Sequence, residues 1–166
     1  MKLENIKSDS VYDIAKTLIK NAEGFSPAVY SDTLGNYTIG YGFKTSDITS
    51  MGWVMPYKKL MTEEDADLIL EKLLKNIDVS IKGDSNLMLI FVRQYPTVQA
   101  VFVDMIYNLG LASFCQFTTF LNYMNNLKYD NAVVDLTNSL WYSQVKSRAI
   151  RNCFIILSHS SSLYLI

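Results

Sequence analysis

Two carboxyls and a hydroxyl early in the chain have the types and setting for acid–base chemistry: Glu23, Asp32 and Thr38. Glu23 closes a helical pattern just before Gly24. The helix dipole is negative at that end, so it disfavours a charged carboxylate and holds the proton more tightly. Burial against Phe25 or Tyr30 would act in the same direction. A carboxyl kept protonated near neutral pH is what a general acid needs. Asp32 falls in the polar turn Ser31-Asp32-Thr33-Leu34-Gly35-Asn36, where it should stay ionised. One acid and one base in unlike environments form the basic apparatus of glycoside hydrolysis. The Thr38 hydroxyl both donates and accepts, so it could hold a water beside Asp32. Each residue also has a plainer reading: Glu23 as a solvated helix end, Asp32 as turn chemistry, Thr38 as β-propensity. Residue type and spacing leave both readings open.

The elements that must position these groups follow from periodicity. Val11, Ile14, Ala15, Leu18, Ile19 and Ala22 recur at helical spacing, predicting a helix over 10–22 capped by Ser10 and stopped by Gly24. From Ser26 the period shortens. Tyr37 to Phe43 alternates as one strand, with Tyr37, Ile39, Tyr41 and Phe43 on one face and Thr38, Gly40 and Gly42 on the other. The glycines bare that second face, so a sugar ring could approach the backbone; they could equally relieve crowding at a bend. A β-hairpin results, with room for a third strand after Lys44. Thr45 to Tyr57 has no clear period. Thr62 and Asp65 begin a long helix to about Lys82, with Ala66, Leu70, Leu73 and Ile77 inward, ended by Gly83-Asp84-Ser85. The rest reads as helices: Asn86 to Arg93; Pro96 to Gly110; one marked by Phe117, Phe120, Leu121 and Met124; Asp130 to Leu140; and Gln144 to Leu157. The fold class is therefore α+β. A small N-terminal β-sheet lobe, about 24–61, is joined by a connecting helix, about 62–82, to an α-helical C-terminal lobe, about 86–157, which also takes in the first helix. A cleft between two such lobes is the expected place for a ligand.

Composition bounds the function. With 166 residues, 49% of them hydrophobic, one domain with a sizeable core is expected. A net charge of -1 argues against a nucleic-acid partner, and an anionic polymer would have to be met by local cationic patches. Cys115 and Cys153 make no disulfide framework and read as free, buried thiols, consistent with folding in a reducing compartment. Met1 to Ser10 lacks the features of a signal peptide, and the longest apolar run, Leu87 to Val92, is too short to span a bilayer. A soluble chain without stable membrane insertion is expected. His159 is the sole histidine and reads as a surface or tail residue, since a metal site needs several partners.

The strings Asn21-Ala22-Glu23-Gly24-Phe25 and Val29-Tyr30-Ser31-Asp32-Thr33-Leu34-Gly35-Asn36-Tyr37-Thr38-Ile39-Gly40-Tyr41-Gly42 resemble the phage-type lysozymes and endolysins of glycoside hydrolase family 24, particularly their T-even-phage branch. Met105-Ile106-Tyr107-Asn108-Leu109-Gly110, Phe117-Thr118 and Trp141-Tyr142-Ser143-Gln144 with Arg148 extend the resemblance over roughly residues 11–151. It implies one lysozyme-like domain over 1–166 and hydrolysis of the β-1,4 bond between N-acetylmuramic acid and N-acetylglucosamine in peptidoglycan, with bacterial lysis as the outcome. The family's catalytic Glu, Asp and Thr fall on Glu23, Asp32 and Thr38. The mechanism implied is inverting: Glu23 protonates the leaving oxygen while Asp32 and Thr38 position water on the opposite face. Substrate-binding positions map to Lys44, Tyr107, Phe120 and Asp135, of which Tyr107 best keeps the family chemistry. No metal or cofactor is implied. The partner is the glycan strand, the chain is expected to be a monomer, and release from the host cytoplasm to the periplasm and wall would depend on a holin-type pore. Departures stand at Phe43, where a His is common, at Leu140, where an Arg often precedes the Trp-Tyr pair, and from Asn152 to Ile166. They keep open a catalytically inactive peptidoglycan-binding module; a lytic transglycosylase is the other alternative, opposed by the presence of Asp32 and Thr38. Trp53, Trp141 and most tyrosines read as packing residues rather than sugar platforms.

Overall fold

The computed structural model describes residues 10–54 and 60–161. The chain opens with helix α1 (Val11–Glu23), followed by strands β1 (Ser26–Ser31), β2 (Tyr37–Gly40) and β3 (Phe43–Lys44) and a short helix α2 (Thr45–Ser50). The long helix α3 (Glu63–Gly83) comes next. Seven further helices follow: α4 (Ser85–Phe91), α5 (Pro96–Leu109), α6 (Leu111–Cys115), α7 (Thr118–Asn125), α8 (Tyr129–Thr137), α9 (Leu140–Val145) and α10 (Ser147–Leu157). This is the expected α+β lysozyme-like class, with a three-stranded antiparallel sheet near the N-terminus. The N-terminal stretch read for a signal peptide lies, Ser10 apart, outside the described residues, as do residues 55–57 of the aperiodic segment and the tail from 162. Among the described residues no helix is long and apolar enough to cross a membrane.

Two compact units emerge. Lys16–Asn76 forms one; residues 10–15 with 77–161 form the other. Helices α1 and α3 each contribute to both.

In the sheet unit, β2 is central. Tyr30 pairs with Thr38 and Ser31 with Tyr37 on one side, and Thr38 with Lys44 and Ile39 with Phe43 on the other. The strand predicted over Tyr37 to Phe43 is in fact two strands. It turns at Tyr41-Gly42, and the third strand precedes Thr45 rather than following Lys44. The reason lies in Gly40 and Gly42, whose φ of +65° and +75° carry the chain out of the extended region. Alternation continues across the bend, which is why pattern alone hides it: Ile39, Tyr41 and Phe43 are all buried, with Ile48 of α2. Helix α2 shows no helical period because it is short and only Ile48 of it is buried. Helix α3 is capped as expected, the Asp65 N–H donating to Thr62 Oγ1 at 3.1 Å. Its buried stripe is Ala66, Ile69, Leu70, Leu74 and Ile81, whereas Leu73 and Ile77 are only half-buried.

The helical unit is organised around α5, buried from Ala100 to Ile106. Phe114 meets Phe102 and Phe120 edge to face, and those two rings are tilted against each other, with centroids 5.2 to 6.5 Å apart. Trp141 is a packing residue, as expected, donating from Nε1 to Asn108 Oδ1 at 2.8 Å and lying edge-on to Phe117. Leu140 begins α9 rather than ending α8, because Ser139 caps the new helix by accepting from the Tyr142 N–H. Lys146, at φ +39°, then separates α9 from α10.

Candidate active site

Glu23 is the last residue of α1, and Gly24 follows at φ +68°, its N–H bonded to the Lys20 carbonyl at 3.0 Å. The helix end is anchored within the sheet unit. Lys16 and Lys20, one turn apart, reach Asp67 of α3 at 3.4 and 2.9 Å, and Lys16 also reaches Glu71 at 3.0 Å. The Lys20 ammonium lies 4.9 Å from the centre of the Tyr41 ring. Tyr41, then Asp67, push the Lys20 ammonium up to about 12. Phe25 packs on the same tyrosine, centroids 5.5 Å apart. Helix α1 is thereby held with its last turn against the β2–β3 bend.

The half-buried Glu23 carboxyl lies directly over Gly42. A Cβ built there would stand 2.7 Å from Glu23 Oε2 and 3.1 Å from Cδ. Gly42 is thus demanded twice, by its left-handed backbone and by the carboxyl in the space a side chain would fill. The corresponding space beside Gly40 holds the Phe43 ring and the Met61 sulfur, 2.6 to 2.8 Å from where a Cβ would stand. This corrects the expectation that the glycines clear room for a sugar ring: protein atoms occupy both spaces. Phe43, standing where the family often has His, fills one of them and meets Tyr41 edge-on.

Asp32 occupies the β1–β2 turn. Its Oδ1 accepts from the backbone N–H of Leu34 at 2.9 Å and of Asn36 at 2.8 Å, and its Oδ2 accepts from Asn36 Nδ2 at 3.0 Å. Its own N–H donates to the Asn36 carbonyl at 2.9 Å. The Asn36 side chain, its backbone N–H, the Leu34 N–H and the positive charge of Lys44 together hold the Asp32 carboxyl below the usual carboxylate range. Thr38 is buried at the centre of the sheet, and its hydroxyl donates to the Tyr30 carbonyl at 3.3 Å. With its hydrogen so used, the hydroxyl meets a water as an acceptor.

The sheet unit therefore carries Glu23, Asp32, Thr38 and Lys44. Lys44 is exposed and bears on Asp32 electrostatically from β3. Tyr107 on α5 and Asp135 on α8 belong to the helical unit and are half-buried. Phe120, mapped above to a substrate contact, is fully buried in the aromatic cluster and presents no side-chain surface to a sugar. Two features are not evident from sequence. Asn36 is legible there only as part of a polar turn, although an Asp followed four residues later by Asn is a signal for a side-chain bridge. The seat of Glu23 on Gly42 has no local signal.

A family model described as phage lysozyme matches residues 20–150. "Probable T4-type lysozyme 1" of Dictyostelium discoideum is 23% identical over 164 residues, covering 90% of this chain and 96% of that protein. "Probable T4-type lysozyme 2" of the same organism is 26% identical over 151 residues, covering 82% and 89%. The "Pre-baseplate central spike protein Gp5" of Enterobacteria phage T4 is 26% identical over 161 residues, 89% of this chain but 28% of that protein.

Proposed function

Because the chain belongs to the phage lysozyme family, and is thus a glycoside hydrolase acting on peptidoglycan, we propose that it cleaves the N-acetylmuramic acid–N-acetylglucosamine β-1,4 bond by a single inverting displacement. Glu23 protonates the departing glycosidic oxygen. Asp32 accepts a proton from a water that attacks the anomeric carbon from the opposite face, and Thr38 accepts a hydrogen bond from that water. The C–O bond to the leaving sugar breaks as the new C–O bond forms, giving two sugar hydroxyls and inversion at the anomeric carbon. Lys44 supplies positive charge beside Asp32 and beside the carboxylates of the wall polymer.

The observation that carries this reading is the setting of the two carboxyls on the sheet unit. Glu23 closes α1 with its half-buried carboxyl seated over Gly42. Asp32 is held ionised by three N–H donors and a lysine. An inverting pair needs a separation of about 6.5–9.5 Å to admit water. Action as a monomer, storage in the host cytoplasm and release through a holin-type pore complete the proposal.

The test is release of reducing ends from purified peptidoglycan. Wild-type protein should release them and Glu23→Gln should not; equal release by both ends the assignment. NMR of the fresh product should show the α-anomer first. A muropeptide lighter by one water would instead identify a transglycosylase.

A further inference from the structure

Asp32 is more tightly specified than a turn aspartate needs to be. A carboxylate offers about four lone-pair positions, two on each oxygen. The two backbone donors, Leu34 and Asn36, occupy Oδ1. On Oδ2 the hydrogen bond within the described residues comes from Asn36 Nδ2, at 3.0 Å. One acceptor position on Oδ2 is therefore left for a ligand, in the plane fixed by Asn36. The backbone that carries this side chain is itself held in place, because the Asn36 main-chain carbonyl accepts from the Asp32 N–H at 2.9 Å.

We propose that Asn36 is a positioning residue for hydrolysis: its side-chain amide fixes the rotation of the Asp32 carboxylate so that one Oδ2 lone pair is presented to the attacking water. This rests on the reading of Asp32 as the general base. A carboxylate free to rotate about its Cβ–Cγ bond would present that lone pair only part of the time, and orientation lost in this way appears in kcat rather than in binding. The same amide bond favours the ionised form, so the base remains available at lower pH. From the neighbouring β3, Lys44 bears on Asp32 in the same direction; Glu23 of α1 is seated over Gly42.

Two variants separate this role from turn stability. Asn36→Ala removes the amide and keeps the backbone N–H. Asn36→Asp keeps shape and turn preference but replaces the donor with an acceptor. For each, the Asp32 carboxyl is titrated by carbon-13 NMR in the folded protein, and kcat and KM on purified peptidoglycan are followed across pH. Asp32 is expected to titrate at higher pH in both variants, further in Asn36→Asp, and the acid limb of the rate profile should move up with it. At neutral pH kcat should fall roughly ten- to a hundred-fold with KM unchanged. An Asp32 titration in Asn36→Ala identical to wild type overturns the proposal, as does a shifted titration with kcat and the acid limb unmoved. Asp32→Asn, measured in parallel, isolates the premise: wild-type turnover in that variant would remove Asp32 as base and leave Asn36 as a turn residue.

Discussion

At the scale of single residues, the site depends on where two carboxyls are seated. Glu23→Gln keeps the shape of the side chain over Gly42 and removes its proton, so activity should fall by about 10²–10⁴-fold while the thermal melt stays close to wild type. Gly42→Ala is a sharper probe of geometry. The alanine must adopt φ near +75° and place Cβ 2.7 Å from Glu23 Oε2. Left-handed strain costs about 1–2 kcal/mol. Denaturant unfolding should show that loss, and the displaced carboxyl should cost activity beyond what the lost stability explains. The two thiols offer a check on burial. Burial pushes the Cys153 thiol up to about 11, whereas Cys115 is partly exposed and raised less. Alkylation of the native protein at mildly alkaline pH should therefore label Cys115 before Cys153, and equal labelling would contradict the packing of α10.

At the scale of elements, caps and docked ends decide where the chain turns. Ser10 and Asp13 form a reciprocal cap on α1, each side chain accepting from the other's N–H at 3.2 Å. The segment after α10 is fastened at its own end. The His159 ring stacks on Tyr95 with centroids 4.1 Å apart, its Nε2 is 2.8 Å from Thr97 Oγ1, and the neighbouring Ser160 donates to Asp130 at 2.6 Å. Burial lowers the His159 imidazole below its ordinary value of 6.5. As pH falls through that ordinary value the unfolded chain takes up the proton first, so stability is present above it and is lost until the folded value is passed. Melts from about pH 8 down to about pH 5 should show a pH-dependent loss in wild type that is smaller in His159→Gln. The segment after α10 is thus packed through Ser160, which the polar run Ser158-His159-Ser160 does not announce.

At the scale of the whole molecule, the helical unit is built around a buried charge. Asp104 of α5 is fully buried. It accepts from Arg148 at 2.9 and 3.1 Å, from Arg151 at 2.9 Å and from Asn152 at 2.8 Å, all on α10. Asp104→Ala would leave the buried Arg148 guanidinium without this carboxylate, at a cost of about 3–5 kcal/mol by denaturant unfolding. Asp104→Asn keeps the shape and part of the hydrogen bonding, so it should cost less. If both variants unfold like wild type, the cluster does not hold α5 to α10. In the sequence Arg148 stands out only as a family landmark, because an aspartate in an apolar helix pattern carries no mark of what faces it.

What the sequence determined alone is what rests on local order: the α+β class, the boundaries of α1 and α3 to within a residue, the β1–β2 turn, and the family through the run of residues around Glu23, Asp32 and Thr38. Tertiary structure decided the rest. It split the alternating run at Gly40 and Gly42, seated Glu23 on backbone nineteen residues further on, and buried Phe120. The physical reason is that periodicity reports which side of an element is apolar, whereas the free energy of a carboxyl depends on the particular atoms brought against it by chain segments distant in sequence.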